Sequence, residues 1–151
     1  MKTVAFVPKI IMEQFDKPQV VISIGDPDED MPNFKCDMID VLRIAVNDIP
    51  DGIAIEDLDG TYRQFDWHDA RKILQFEHRW KDEHIVVHCH AGISRSAAVA
   101  KYLGDVCGRL LILQRPDQAD FYNRQIYRQL QITHLDMRMT GGQVYPIKVG
   151  N

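Results

Sequence analysis

In the run IVVHCHAGISRSAAVA, residues 85 to 100, Cys89 is followed six positions later by Arg95, with Gly92 between them and Ser96 directly after. Those residue types at that spacing suit the capture and covalent transfer of a phosphoryl group. A thiol of pKa ~8.5 in water ionises at neutral pH beside a helix N-terminus and an arginine, which makes Cys89 a nucleophile. Arg95 can return across the loop and hold two phosphate oxygens with its planar fork, a geometry lysine does not offer. Ser96 is placed to lie beside the sulfur, where its hydroxyl would stabilise the departing thiolate.

The neighbouring elements must build that site. Ile85, Val86 and Val87 are β-branched and apolar throughout, as a strand buried on both faces requires. The alanine-rich stretch Ser96 to Cys107 reads as a helix, closed by Gly108. The loop therefore leaves a strand and enters a helix N-terminus. There the backbone N–H groups from His90 through Ala91, Gly92, Ile93 and Ser94 to Arg95 can turn inward and, with the helix dipole, form a concave anion site. Gly92 allows a close approach that a Cβ would obstruct. Read blandly, Cys89 is a small buried hydrophobe and Arg95 a surface cation, but a filler cysteine does not call for a glycine and an arginine around it. His88, Cys89 and His90 also carry metal-ligand chemistry, yet no second ligand pair at a familiar spacing accompanies them, so neither metal nor cofactor is expected.

The segment HCHAGISRS, His88 to Ser96, resembles the H-C-x5-R-[ST] signature of cysteine-based protein tyrosine phosphatases, and its A-G-I-S-R-S wording is most similar to the dual-specificity branch. The resemblance implies an α/β fold with a central, mainly parallel sheet flanked by helices and a phosphate loop between a central strand and a helix N-terminus. It implies that Cys89 attacks, that Arg95 and the loop residues His90 to Ser94 bind substrate, and that His88 supports them. It implies also an aspartic acid on an upstream loop. The stretch VLRIAVNDIPDG, Val41 to Gly52, reads as a strand running into a loop and resembles the family's acid-bearing segment. Asp48 is the expected acid, with Asp51 next and Asp57, Asp59 and Asp66 behind. Protonated Asp48 would donate to the ester oxygen and then take a proton from the hydrolytic water. N-D-I-P-D-G is equally a plain turn string, and Asp66 and Asp69 are better read as caps or first-turn acids of a helix. The string RPDQADFYNRQ, Arg115 to Gln125, is loosely similar to the family's segment after the signature helix, with Phe121-Tyr122-Asn123 in place of the usual P-N pair.

Strands alternating with helices predict a parallel sheet with ligands at the strands' C-terminal ends. Expected strands are Thr3 to Val7, Gln19 to Ile24, Val41 to Val46 and Ile85 to His88. Expected helices are Pro8 to Phe15, Asp66 to Trp80, Ser96 to Cys107 and Asp117 to Gln131. The acidic stretch Asp26 to Pro32 and the tail Thr140 to Asn151 are either gates of the cleft or, on the plainer reading, solvated surface.

With 151 residues and 45% hydrophobic content the chain is read as one dual-specificity phosphatase-like domain, 1–151, the resemblance being clearest over 20–131. Three cysteines, Cys36, Cys89 and Cys107, suggest no disulfide framework and a reducing cytoplasm, with Cys36 and Cys107 as buried packing. No segment is a membrane span, and Met1 to Lys9 lacks a signal peptide's apolar centre. A net charge of −4 speaks against nucleic acid or an acidic membrane as partner. The expected partner is a phosphorylated protein or a small phosphate ester. The loop holds no lysine for extra phosphates and only His90 can become cationic, which favours a phosphorylated side chain over a polyphosphorylated ring. The alternatives are a pseudophosphatase-like phosphate-binding module, or a phosphatase of a non-protein ester. Pseudophosphatases have usually lost the cysteine or the arginine, and both are present here.

Overall fold

The computed structural model describes residues 2–140. In chain order its elements are β1 (Thr3–Pro8), α1 (Lys9–Met12), β2 (Val20–Gly25), β3 (Asp40–Ala45), α2 (Trp67–Arg79), β4 (Ile85–Cys89), α3 (Arg95–Val106), β5 (Leu110–Leu111) and α4 (Arg124–Met139), with a short 3-10 turn at Ile55–Asp57. The five strands form one sheet in the order β3-β2-β4-β1-β5, and every pairing is parallel. The α/β architecture read from the sequence is the one observed.

β4 sits at the centre of the sheet because it can be buried on both faces, and all five of its residues are buried. Alternation divides the strand residues between two cores. Val20, Ile22, Ile85, Val87 and Cys89 join the large cluster with Ile73, Leu103, Ile126 and Leu130 from α2, α3 and α4. Val21 and Val86 turn to the other face, where Met12, Phe15, Phe34 and Met38 cover them. Cys89 thus lies on the face against which α3 packs.

Asp66 caps α2 through the N–H groups of His68 and Asp69, and Asp69 answers with a bond to the Asp66 N–H, a reciprocal capping box. The last helix departs from the sequence reading. It begins at Arg124, seven residues after the expected Asp117, because the Asn123 side chain accepts the Ile126 N–H as its N-cap. Residues 115–122 form successive turns instead, with Gln118 N–H bonded to Arg115 O and Asp120 N–H to Asp117 O, and Phe121 is 75% exposed. The helix then runs past the expected Gln131 to Met139, burying Thr133 and Met137. The helix expected over Pro8 to Phe15 is a single turn, and β5 is a two-residue edge strand that the sequence reading lacked. Cys36 and Cys107 are half-buried rather than buried, Cys107 resting against the large core. Beyond Thr140 the expected surface tail lies outside the described residues, as does Met1. No described helix is long and apolar enough to cross a membrane.

Candidate active site

β4 ends at Cys89 and α3 begins at Arg95, so residues 90–94 make the expected strand-to-helix loop. Cys89 is buried, and its Sγ lies 3.1 Å from Ser96 Oγ. Gly92 holds φ +67, and a Cβ there would fall 2.3 Å from the Pro8 nitrogen, so no other residue fits without moving the end of β1. A bond from Lys9 N–H to His90 O, 3.1 Å, adds a second brace from the same side. Among the described residues, none of the backbone N–H groups of Ala91 to Arg95 donates to a protein acceptor. Five successive amides at a helix N-terminus without internal partners form a receptor for an anion.

Arg95 is 6% exposed. Its Nη1 donates to Asp26 Oδ1 at 2.7 Å and to Val46 O at 2.7 Å. Nε and Nη2 have no partner among the described residues, and no fully buried side-chain nitrogen or oxygen there lacks one, so both nitrogens of this edge keep contact with solvent. It is the edge that matches two oxygens of a tetrahedral anion.

Of the acid candidates only Asp48 touches the loop. Its Oδ1 accepts from Ser94 Oγ at 2.9 Å and from Asn123 Nδ2 at 2.7 Å, which leaves Oδ2 to carry a proton. Asp51 is instead gripped by both terminal nitrogens of Arg128. Asp57 belongs to the 3-10 turn, Asp59 to the exposed loop after it, and Asp66 to the helix cap. Asn123 joins several parts of this corner: Nδ2 also donates to Ile49 O at 3.1 Å, its N–H donates to Ser94 O at 3.0 Å, and Oδ1 caps α4.

His88 is buried below the loop, with Nε2 2.7 Å from Ser23 Oγ and Nδ1 3.3 Å from Cys89 O. Burial pushes its pKa down to about 4, so the ring is neutral at pH 7. The pairing assigns the proton to Nδ1 and makes Nε2 the acceptor of the Ser23 hydroxyl, which in turn accepts from Arg43 Nη1 at 3.0 Å.

The stretch expected as plain solvated surface, Asp26 to Pro32, is corrected by two ties to the loop. Asp26 holds Arg95, and Glu29 Oε2 lies 3.1 Å from His90 Nδ1 and 3.4 Å from Lys9 Nζ. Burial pushes the Glu29 carboxyl up, but hydrogen bonds from the Asp26 N–H, His90 and Lys9 outweigh it and hold the group below its usual range. Sequence reasoning missed Asp26, Glu29 and Ser23 as parts of this site. Of the expected residues, Cys89 pairs with Ser96, Ser94 pairs with Asp48, and Arg95 is tied to Asp26 and Val46, while His90, Ala91 and Ile93 form the exposed rim of the loop. Beside Asp48, Ser94 and Asn123 opens a depression of about 360 Å³, walled by Phe121, Tyr122 and Arg124. No group of three or more His, Cys, Asp or Glu among the described residues is arranged to hold a metal.

Neither a family model nor a curated protein sequence matches the chain. Solved structures do resemble it, among them the following two. Human DUSP28 superposes with a TM-score of 0.50 at 17% identity, covering 93% of this chain and 97% of that one. A mouse protein provisionally described as a dual specificity phosphatase, complexed with zinc tungstate, gives a TM-score of 0.48 at 18% identity, covering 95% of this chain and 87% of that one. The fold is that of the dual-specificity phosphatases.

Proposed function

We propose that this chain is a cysteine-dependent phosphomonoester hydrolase that acts on a phosphorylated protein side chain or a small aryl phosphate. The observation that carries this reading is the loop of five unpartnered amides with Cys89 at its floor and the open edge of Arg95 beside it. Phosphate oxygens occupy the amides and the Nε/Nη2 edge, which presents phosphorus to Sγ. The thiolate attacks phosphorus, the ester P–O bond breaks, and Asp48 gives its Oδ2 proton to the leaving oxygen. A water then attacks the cysteinyl-phosphate; Asp48 takes its proton, the P–S bond breaks, and the Ser96 hydroxyl donates to the returning thiolate. The carboxylates around the mouth, Asp26, Glu29 and Asp48, oppose substrates with several clustered phosphates. With no lysine in the loop, a single phosphate on a side chain suits the site better.

The test is hydrolysis of an aryl phosphate from pH 5 to 8. Cys89→Ser abolishes turnover, Asp48→Asn lowers it about 10²-fold, and Asp51→Asn stays within about twofold of wild type. An inert wild type whose phosphate binding still depends on Arg95 would make the protein a phosphate-binding module instead.

A further inference from the structure

We propose that Asp26 is a positioning residue that fixes the rotation of the Arg95 fork for an incoming phosphate, an inference that rests on the phosphatase reading of the loop. A guanidinium carries its five N–H bonds in fixed directions in one plane. One hydrogen bond at Nη1 leaves the group free to pivot, whereas two, aimed from different sides, fix the plane. Val46 O supplies one acceptor and Asp26 Oδ1 the other, each at 2.7 Å. Those acceptors are themselves cross-tied, because Val46 N–H donates to the carbonyl of Gly25, the residue before Asp26, at 2.9 Å. The Asp26 N–H is held in turn by Glu29 Oε1 at 3.2 Å. The adjoining ends of β2 and β3 thus form a cradle for Nη1 and leave the opposite edge, Nε with Nη2, without a partner among the described residues.

A carboxylate beside an anion site has a second reading, in which it stands where phosphate should bind and competes for the arginine. The contact made here separates the two. A competitor would occupy the Nε/Nη2 edge, and Asp26 occupies Nη1, leaving that edge open. Its negative charge also offsets that of Arg95, which is nearly buried while Asp26 is partly exposed.

Two substitutions in the full chain distinguish the readings. Asp26→Ala removes the acceptor, and Asp26→Asn keeps an oxygen for Nη1 while dropping the charge. With an aryl phosphate, positioning predicts that Asp26→Ala loses about tenfold or more in kcat with a smaller change in KM, and that Asp26→Asn recovers most of the loss. Kept kcat with lowered KM in both variants would overturn the proposal in favour of competition. A second readout needs no turnover: the alkylation rate of Cys89, followed by peptide mapping, with the anion iodoacetate against neutral iodoacetamide. An ordered Arg95 edge favours the anion, so the ratio falls in Asp26→Ala and returns in Asp26→Asn; an unchanged or raised ratio in Asp26→Ala overturns the proposal. An inert wild type would defeat the phosphatase reading alone, since the alkylation ratio still judges Asp26. If thermal melts find Asp26→Ala unfolded, Asp26→Asn decides, with kcat and KM both near wild type supporting positioning and a lowered KM overturning it.

Discussion

Arg95 and Arg109 are both buried, at 6% and 3% exposure, and they use their nitrogens in opposite ways. Arg109, at the far end of the sheet, spends all three: Nε on Glu77 at 2.7 Å, Nη1 on the carbonyls of Thr3 and Glu83 at 3.0 and 2.6 Å, and Nη2 on Trp80 O at 2.8 Å. It ties β1, α2 and the turn before β4 together with no edge to spare. Arg95 spends one nitrogen and leaves two open. Because a buried donor without an acceptor costs about 1–3 kcal/mol, a fold tolerates an open edge only where solvent or a ligand reaches it. Counting donors therefore separates an arginine that only holds the fold from one that keeps two nitrogens free for the phosphate proposed above.

The sharpest way to break that contrast is Arg95→Lys. A single ammonium cannot reproduce the paired edge, so kcat should fall about 10³-fold on an aryl phosphate, while the urea midpoint stays nearly unchanged. A loss under tenfold would mean that the open edge is not what binds phosphate. Arg109→Met should do the converse. Glu77 is left with only Lys2 at 3.7 Å, and urea unfolding should show about 3 kcal/mol of lost stability with kcat per folded molecule unaltered.

The smallest expected effect concerns the neutral histidine under the loop. Since the His88 pKa is lowered from 6.5 to about 4, the unfolded chain binds a proton in that window that the native state refuses. Its contribution is fully present above about pH 6.5 and drains away as the pH falls toward 4. Substituting His88→Asn removes this sensitivity, so wild type should lose about 2 kcal/mol relative to the variant between pH 7 and 4.5, read by urea denaturation at each pH. A difference that stays constant with pH would contradict a neutral buried ring.

Local chemistry accounts for what was legible in the chain. Ile85 to Val87 is a doubly buried strand in any register, Asp66 is followed by Asp69 at capping distance, and the cysteine-to-arginine loop places its residues within a few positions of each other. The last helix was misplaced because Arg115-Pro116-Asp117 mimics a helix start and Phe121 extends the apolar period, whereas the Asn123 cap competes and wins. β5 carries too short a pattern to register. The ties that orient the site were out of reach for a different reason. Asp26 and Arg95 stand 69 positions apart, and Asn123 and Asp48 stand 75 apart, so only the closed sheet brings them together.

The strand order carries a consequence for how the protein is born. β1 and β2 are close in sequence yet are not neighbours in the sheet; β4, synthesised some sixty residues later, wedges between them. Until it arrives, both strands present raw edges, the slow and aggregation-exposed stage of a parallel topology. The insertion that closes the sheet also delivers Cys89 to the floor of its loop and brings the loop against Pro8. Closure of the sheet and assembly of the loop around Cys89 are thus a single event.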